Sequence, residues 1–283
     1  MIKLLAESGS TKTDWMLVNE QGERNSFTTA GINPLLLSIE EITELVEEQP
    51  LLVKSAIQIT QVFFYGAGCG NKDAVNRLKI VFQGFFYNAS IEIYPDTLAA
   101  SRACCGKNPG IVGIIGTGSN AGFFDGDRQF TPFVPSLGFI LGDEGSGNWI
   151  GRKLLSDYFY GRMPVGLREA FLEEYAIDYQ EVISRLYRAQ APNAYLASFA
   201  PFCHHHFAHA YCTSLVMNGI NLFLNRFIDP AILPEGSKIH FAGSVAFAFQ
   251  EQIREQLDTR KLSMGNVVSR PLEALLSFHL DQA

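Results

Sequence analysis

The chain has 283 residues, of which 47% are hydrophobic, so it can bury a large core and is long enough for two domains of about 100–170 residues each. Its 22 basic and 29 acidic residues leave a net charge of −7, which argues against a nucleic-acid footprint or a polybasic membrane anchor. Phosphate chemistry, where present, must be local.

Ile2 to Ala6 reads as a strand from the start, without the charged, apolar and cleavage regions of a secretion signal, and no run of about 18 apolar residues follows. A cytoplasmic protein without membrane contact is expected. Ser8-Gly9-Ser10-Thr11-Lys12-Thr13 is a glycine turn rich in hydroxyls, and Trp15 to Val18 is the return strand of a hairpin. Gly22 closes a second turn before a third strand, Ser26 to Thr29. The expected elements then alternate: helix from Ile39 to Gln49, buried strand from Gln61 to Gly66, helix from Asn71 to Phe82, strand from Ile91 to Tyr94 and a small-residue helix from Thr97 to Cys105.

After the turn Lys107-Asn108-Pro109-Gly110, the strand Ile111–Ile115 runs into a second glycine turn, Gly116-Thr117-Gly118-Ser119, and a return strand, Ala121 to Phe124. This repeats the opening strand–turn–strand unit and places a domain boundary at residue 108. The first domain is then 1–108, the second 109–270, and a C-terminal helix at about 271–283 is expected to pack back on the first. Within the second domain the pattern predicts helices at about 146–160, 166–175, 178–189 and 194–226, a strand from Lys238 to Ala242, and a helix from Gly243-Ser244 through Leu257.

Glycines at such turns let backbone N–H groups approach phosphate oxygens, and Ser or Thr hydroxyls add donors. Neither turn has the Walker spacing or the dinucleotide GxGxxG pattern followed by an acidic residue, which argues against a P-loop or Rossmann reading. Asp96 stands between a strand and a helix, where a carboxylate serves either as a helix cap or as a catalytic base. Gly142-Asp143-Glu144-Gly145-Ser146-Gly147 sets two acids before a helix, an arrangement suited to aiming carboxylates at a sugar hydroxyl or hydrated Mg²⁺ while exposing the helix N–H groups; its alternative is a plain capping loop. Asn33 and Asn120 are either turn residues or readers of ligand hydroxyls.

Five cysteines without CxxC spacing point to buried thiols rather than disulfides or zinc, with Cys104 and Cys105 as core residues. His205 and His209 have i, i+4 spacing on the expected helix 194–226, yet no third ligand of matching spacing follows, and a metal-free helix is expected.

The segments ESGSTKTDW, GIN, YPDTLAA, GIIGTGSNAGFF, LGDEGSGNWIG and FAGSVAFAF resemble, in order and over most of the chain, the N-acetylglucosamine kinase family and the related BadF/BadG-type ATPases of the sugar kinase/actin/heat-shock-cognate superfamily. The resemblance implies an α/β fold of two ribonuclease H-like domains with ATP and sugar in the cleft between them. It assigns nucleotide binding to Gly9, Ser10, Thr11, Lys12, Thr13, Gly116, Thr117, Gly118, Ser119, Gly243 and Ser244. It assigns sugar binding to Asn33, Asp96, Thr117, Gly118, Asn120 and Asp143, with Asp96 as the base that takes the proton of the 6-hydroxyl. Glu7 stands where the family carries Asp and would hold Mg²⁺ through water. The implied activity is ATP-dependent phosphorylation of N-acetylglucosamine, with a muramyl-type amino sugar, a partner-driven ATPase and a non-catalytic sugar sensor as alternatives; a homodimer is a further expectation.

Overall fold

The computed structural model describes residues 2–9, 12–189 and 191–280. The chain divides into two compact units, one of residues 1–103 with 271–283 and the other of residues 104–270.

The first unit opens with the hairpin β1 (Ile2–Ser8) and β2 (Lys12–Asn19), followed by β3 (Arg24–Ala30). Helices α1 (Ile39–Glu47) and α2 (Pro50–Ser55) precede β4 (Ile59–Gly66); α3 (Lys72–Phe85) precedes β5 (Ser90–Pro95). The helix expected at 39–49 therefore ends early. Pro50 cannot continue the hydrogen-bond ladder, and it restarts the chain as the first residue of α2. α1 begins with a capping box, Ser38 and Glu41 each bonding the other's backbone N–H. The sheet order is β3-β2-β1-β4-β5, antiparallel through the hairpins and parallel from β1 to β5. Phe82 packs edge to face against Trp15 and Phe64 in its core, and Trp15 tilts against Phe64. Helix α4 (Asp96–Cys105) leads the chain into the second unit.

That unit repeats the plan. Strands β6 (Gly110–Ile115), β7 (Ser119–Phe124) and β8 (Phe130–Pro132) form the antiparallel part, and β9 (Lys238–Ala242) and β10 (Ser263–Val268) the parallel part, in the order β8-β7-β6-β9-β10. Adding five to each strand number of the first sheet gives the second, so the repeat seen in the two glycine turns extends over both sheets. The strands β8 and β10 were not expected: β8 is three residues long, and β10 is half-buried and interrupted by a register shift.

Between β8 and β9 lie α5 (Gly138–Leu141), α6 (Gly147–Phe159), α7 (Val165–Tyr175), α8 (Tyr179–Tyr187), α9 (Pro192–Ala197), α10 (Pro201–His205) and α11 (Ala210–Phe223), which ends in a π turn, Leu224–Ile228. The single helix expected at 194–226 is thus broken twice. Pro201 interrupts the first junction, and at the second His209 caps α11, its Nδ1 accepting the Tyr211 N–H at 3.1 Å. His205 and His209 consequently sit on different elements rather than one helical face. Among the described residues no group of three or more His, Cys, Asp or Glu could hold a metal. The helix expected from Gly243 to Leu257 divides into α12 (Ser244–Ala248) and α13 (Gln250–Asp258), because Phe249 leaves the helical conformation and packs its ring against His204 and Phe207.

The chain ends with α14 (Leu272–Leu280), which belongs to the first unit and buries Leu275, Leu276 and His279 there. All five cysteines are buried free thiols. Among the described residues no helix is long and apolar enough to cross a membrane.

Candidate active site

In the first unit, the end of β1 and the start of β2 carry the opening glycine turn. Gly9 N–H donates to Lys12 O at 3.0 Å, closing a tight loop whose tip, Ser10 and Thr11, lies outside the described residues. Ser8 and Thr13 are buried, with their hydroxyls 2.8 Å apart. Thr13 Oγ1 donates to Ala30 O and accepts the Ile32 N–H, so this hydroxyl is engaged within the unit and ties the turn to the segment that carries Asn33. Lys12 Nζ pairs with Asp14 at 2.6 Å.

The strand register sets Glu7 opposite Asp14 on β2 and opposite Tyr65 on β4. Burial pushes the Glu7 carboxyl up to about 7, with Asp96 and then Asp14 adding to the rise and Lys12 opposing it. Because no group of three such ligands stands among the described residues, Glu7 fits a hydrated Mg²⁺ only as a partner to a water of its shell. Asp96 is the first residue of α4; its side chain opens to solvent and its Oδ1 accepts the Thr97 N–H at 2.9 Å. Desolvation by the surrounding protein nevertheless holds its carboxyl above the usual range, against that bond. Asn33 is in a turn: its Oδ1 accepts the Leu35 N–H at 3.0 Å and sits against Gly68, where a Cβ would come within 2.3 Å. Its Nδ2 is left as the donor for an outside oxygen.

In the second unit, the GTGS turn and the GDEGSG loop form one hydrogen-bonded body. Gly116 O accepts the Gly147 N–H at 2.8 Å, and Thr117 O accepts the Asn148 N–H at 3.0 Å. The start of α6, expected to present open N–H groups, therefore spends two of them on the turn, while Ser146 Oγ caps the Trp149 N–H. Asp143 is buried at 7% exposure with φ +59°, a conformation costing a non-glycine residue about 1 kcal/mol. Its Oδ1 accepts the Ser119 N–H at 3.2 Å and its Oδ2 accepts Asn148 Nδ2 at 2.7 Å. Gly118 lies close beside it, and a Cβ there would come within 2.9 Å of Asp143 Oδ2, so the carboxylate would have to shift. Glu144, the loop's second acid, turns away to pair with Arg226 of the π turn at 3.2 Å.

Three buried polar atoms of this body have no partner among the described residues: Ser119 Oγ, Asn120 Oδ1 and Asn148 Oδ1. Buried polar atoms are normally paired, and two amide oxygens that accept beside a hydroxyl have the chemistry of a site for a ligand rich in hydroxyl donors. Thr117 is exposed at the head of the turn. Gly243 reaches the turn from the end of β9; its φ is +116°, and a Cβ would lie 2.4 Å from Ile115 O and 2.9 Å from Gly116 N. Ser244 follows, exposed at the start of α12. The structure thus gathers Gly116, Thr117, Gly118, Ser119, Asn120, Asp143 and Gly243 in the second unit, and Glu7, Gly9, Lys12, Thr13, Asn33 and Asp96 in the first. Asn148 was legible only as part of the LGDEGSGNWIG segment; the signal for it is its place five residues after Asp143, just inside the helix that the loop begins.

No family model matches the chain, and no curated protein matches it. Among solved structures, that of a putative N-acetylglucosamine kinase from Porphyromonas gingivalis shares 39% identity and a TM-score of 0.90, covering 98% of each chain. The chain belongs to the N-acetylglucosamine kinase family. A second protein of that name, from Chromobacterium violaceum, superposes with a TM-score of 0.71 at 18% identity, again over 98% of each chain. A ROK family glucokinase from Streptomyces griseus, solved with glucose and AMPPNP, gives 0.59 at 14% identity over 100% of this chain and 99% of that one. These two show the fold alone, which is the two-domain α/β fold of the sugar kinases and actin-like ATPases, each domain ribonuclease H-like.

Proposed function

We propose that the protein is an ATP-dependent kinase that phosphorylates N-acetylglucosamine on its 6-hydroxyl. The observation that carries the reading is the 39% identity, over nearly the whole of both chains, to the Porphyromonas gingivalis protein of that name. The geometry supports it in two places. Asp96 offers a solvent-open carboxylate whose proton affinity is raised, the property required of a general base. The buried polar cluster around Asp143 offers unpaired acceptors and a hydroxyl to a polyhydroxylated ligand.

In this reading Asp96 accepts the proton of the attacking hydroxyl, and Asn33, Asn120 and Asp143 fix the sugar through its other polar groups. Gly9, Lys12, Gly116, Gly118 and Ser119 hold the ATP phosphates, and Gly243 and Ser244 border its nucleoside; the AMPPNP bound by the Streptomyces griseus glucokinase supports the choice of nucleotide. Glu7 holds a water of the Mg²⁺ shell, and that ion, when bound, neutralises charge on the phosphoryl oxygens.

The test is an ADP-release assay over a panel of hexosamines, hexoses and muramyl sugars, with ³¹P and ¹³C NMR of the product. N-acetylglucosamine should turn over fastest and carry phosphate on its 6-oxygen. Asp96→Asn should keep ATP binding and lower turnover about 10²-fold or more. ATP hydrolysis at one rate with every sugar and with none would overturn the reading.

A further inference from the structure

The second unit holds a feature that packing does not explain. Asn148 is 1% exposed, yet its Oδ1 has no partner among the described residues. A leucine of similar shape would fill the same space without burying an unpaired amide oxygen. What the amide provides is its other end: Nδ2 donates to Asp143 Oδ2 at 2.7 Å, and this bond fixes which way round the amide stands.

Asp143 needs such a donor. Its backbone is left-handed, its carboxylate lies against Gly118, and its other oxygen takes only the Ser119 N–H at 3.2 Å. With one protein donor on each oxygen, each retains a free lone pair for a ligand hydroxyl. Without the Asn148 amide, Oδ2 has no side-chain donor and the carboxylate can turn toward any other partner. We propose that Asn148 is a positioning residue, which holds the Asp143 carboxylate in the pose that receives the acceptor sugar. The inference rests on the reading of Asp143 as a sugar-binding residue.

The bonds that anchor the loop do not depend on this side chain. The N–H groups of Gly147 and Asn148 reach Gly116 O and Thr117 O in any variant, and Ser146 still caps α6. Asn148→Leu should therefore fold, with an unfolding midpoint below that of the wild type because the buried Asp143 carboxylate loses a donor. Its KM for the sugar should rise about tenfold or more, and its KM for ATP should stay within twofold.

Asn148→Asp supplies a readout that a purely structural role would not move. Two adjacent carboxyls share a proton at low pH, so the new acid can donate to Asp143, whereas at high pH both ionise and repel. The ratio of the variant's sugar KM to that of the wild type should be smallest near pH 5.5 and grow steadily toward pH 8.5. If Asn148→Leu fails to fold, this pH dependence decides alone. A sugar KM within twofold of wild type in Asn148→Leu, or a ratio for Asn148→Asp that is flat with pH, overturns the inference while leaving the kinase reading intact. A wild-type protein that phosphorylates no sugar of the panel overturns both.

Discussion

Glu7 shows how one methylene and one strand register set a site's chemistry. The register places it opposite Asp14, and the fold adds Asp96 to the charges it feels, so burial and repulsion carry its carboxyl from 4.5 to about 7. The sign of the consequence is fixed. Between those values the folded state binds more protons than the unfolded state, so stability falls as pH rises through the window. A shift from 4.5 to about 7 corresponds to about 3 kcal/mol once both states are ionised. Glu7→Gln removes the loss, and urea unfolding should find that variant more stable than wild type at pH 8 by up to that amount but equal to it at pH 4. Saturating Mg²⁺ with ATP should close part of the gap at pH 8. An equal effect of the variant at both pH values would show that the ionised carboxylate is not what the fold resists.

At the scale of elements, what the sequence disclosed and what it hid divide along physical lines. The hairpins, the strands from Gln61 to Gly66 and Lys238 to Ala242, and helix α6 carry their own glycine turns, apolar runs or caps, and were legible. The breaks near residues 198 and 206 were not, because an apolar stretch without strong punctuation conceals Pro201 as one helix breaker and the cap at His209 as another. Strand β10 was hidden because its pattern is half-buried and bulged. At the site, Asp143 and Gly118 were visible as motif residues, but their contact was not, since it joins a turn at 116–119 to a loop at 142–147 across more than twenty residues. Gly243 shows why such joints tolerate no side chain. Gly243→Ala would combine φ +116° with a Cβ 2.4 Å from Ile115 O, and should cost more than about 2 kcal/mol and weaken ATP binding by displacing Gly116. Gly236 is its control: φ is +77° with nothing within 4 Å of a Cβ, so Gly236→Ala should cost about 1 kcal/mol and leave nucleotide affinity unchanged. Thermal unfolding and nucleotide titration of the two variants separate strain from collision.

Over the whole molecule, the first unit is assembled from both ends of the chain, and a further buried titratable group arrives with the C-terminal helix. His279 is 2% exposed, stacks on Phe63 and meets Tyr65 Oη at 2.7 Å through Nε2, while Arg102 donates to the same Tyr65 oxygen. Which of Tyr65 Oη and His279 Nε2 donates in this bond depends on the imidazole tautomer. Burial, with Arg102 and Lys3 beside it, lowers the pKa of His279 from 6.5 to about 4. Here the folded state binds fewer protons than the unfolded one, so stability is intact above 6.5 and falls as pH drops toward 4, the opposite slope to that of Glu7. The two windows overlap between about 4.5 and 6.5 and their slopes have opposite signs, so these two groups offset one another there. Each single variant should then expose the other group. Unfolding of the first unit can be followed by Trp15 fluorescence in a Trp149→Phe background. In that background Glu7→Gln should gain stability as pH rises from 4.5 to 6.5, His279→Leu should lose it over the same range, and the double variant should lose both of these slopes. Parallel pH profiles in the two single variants would mean that the opposing titrations do not reside in these residues.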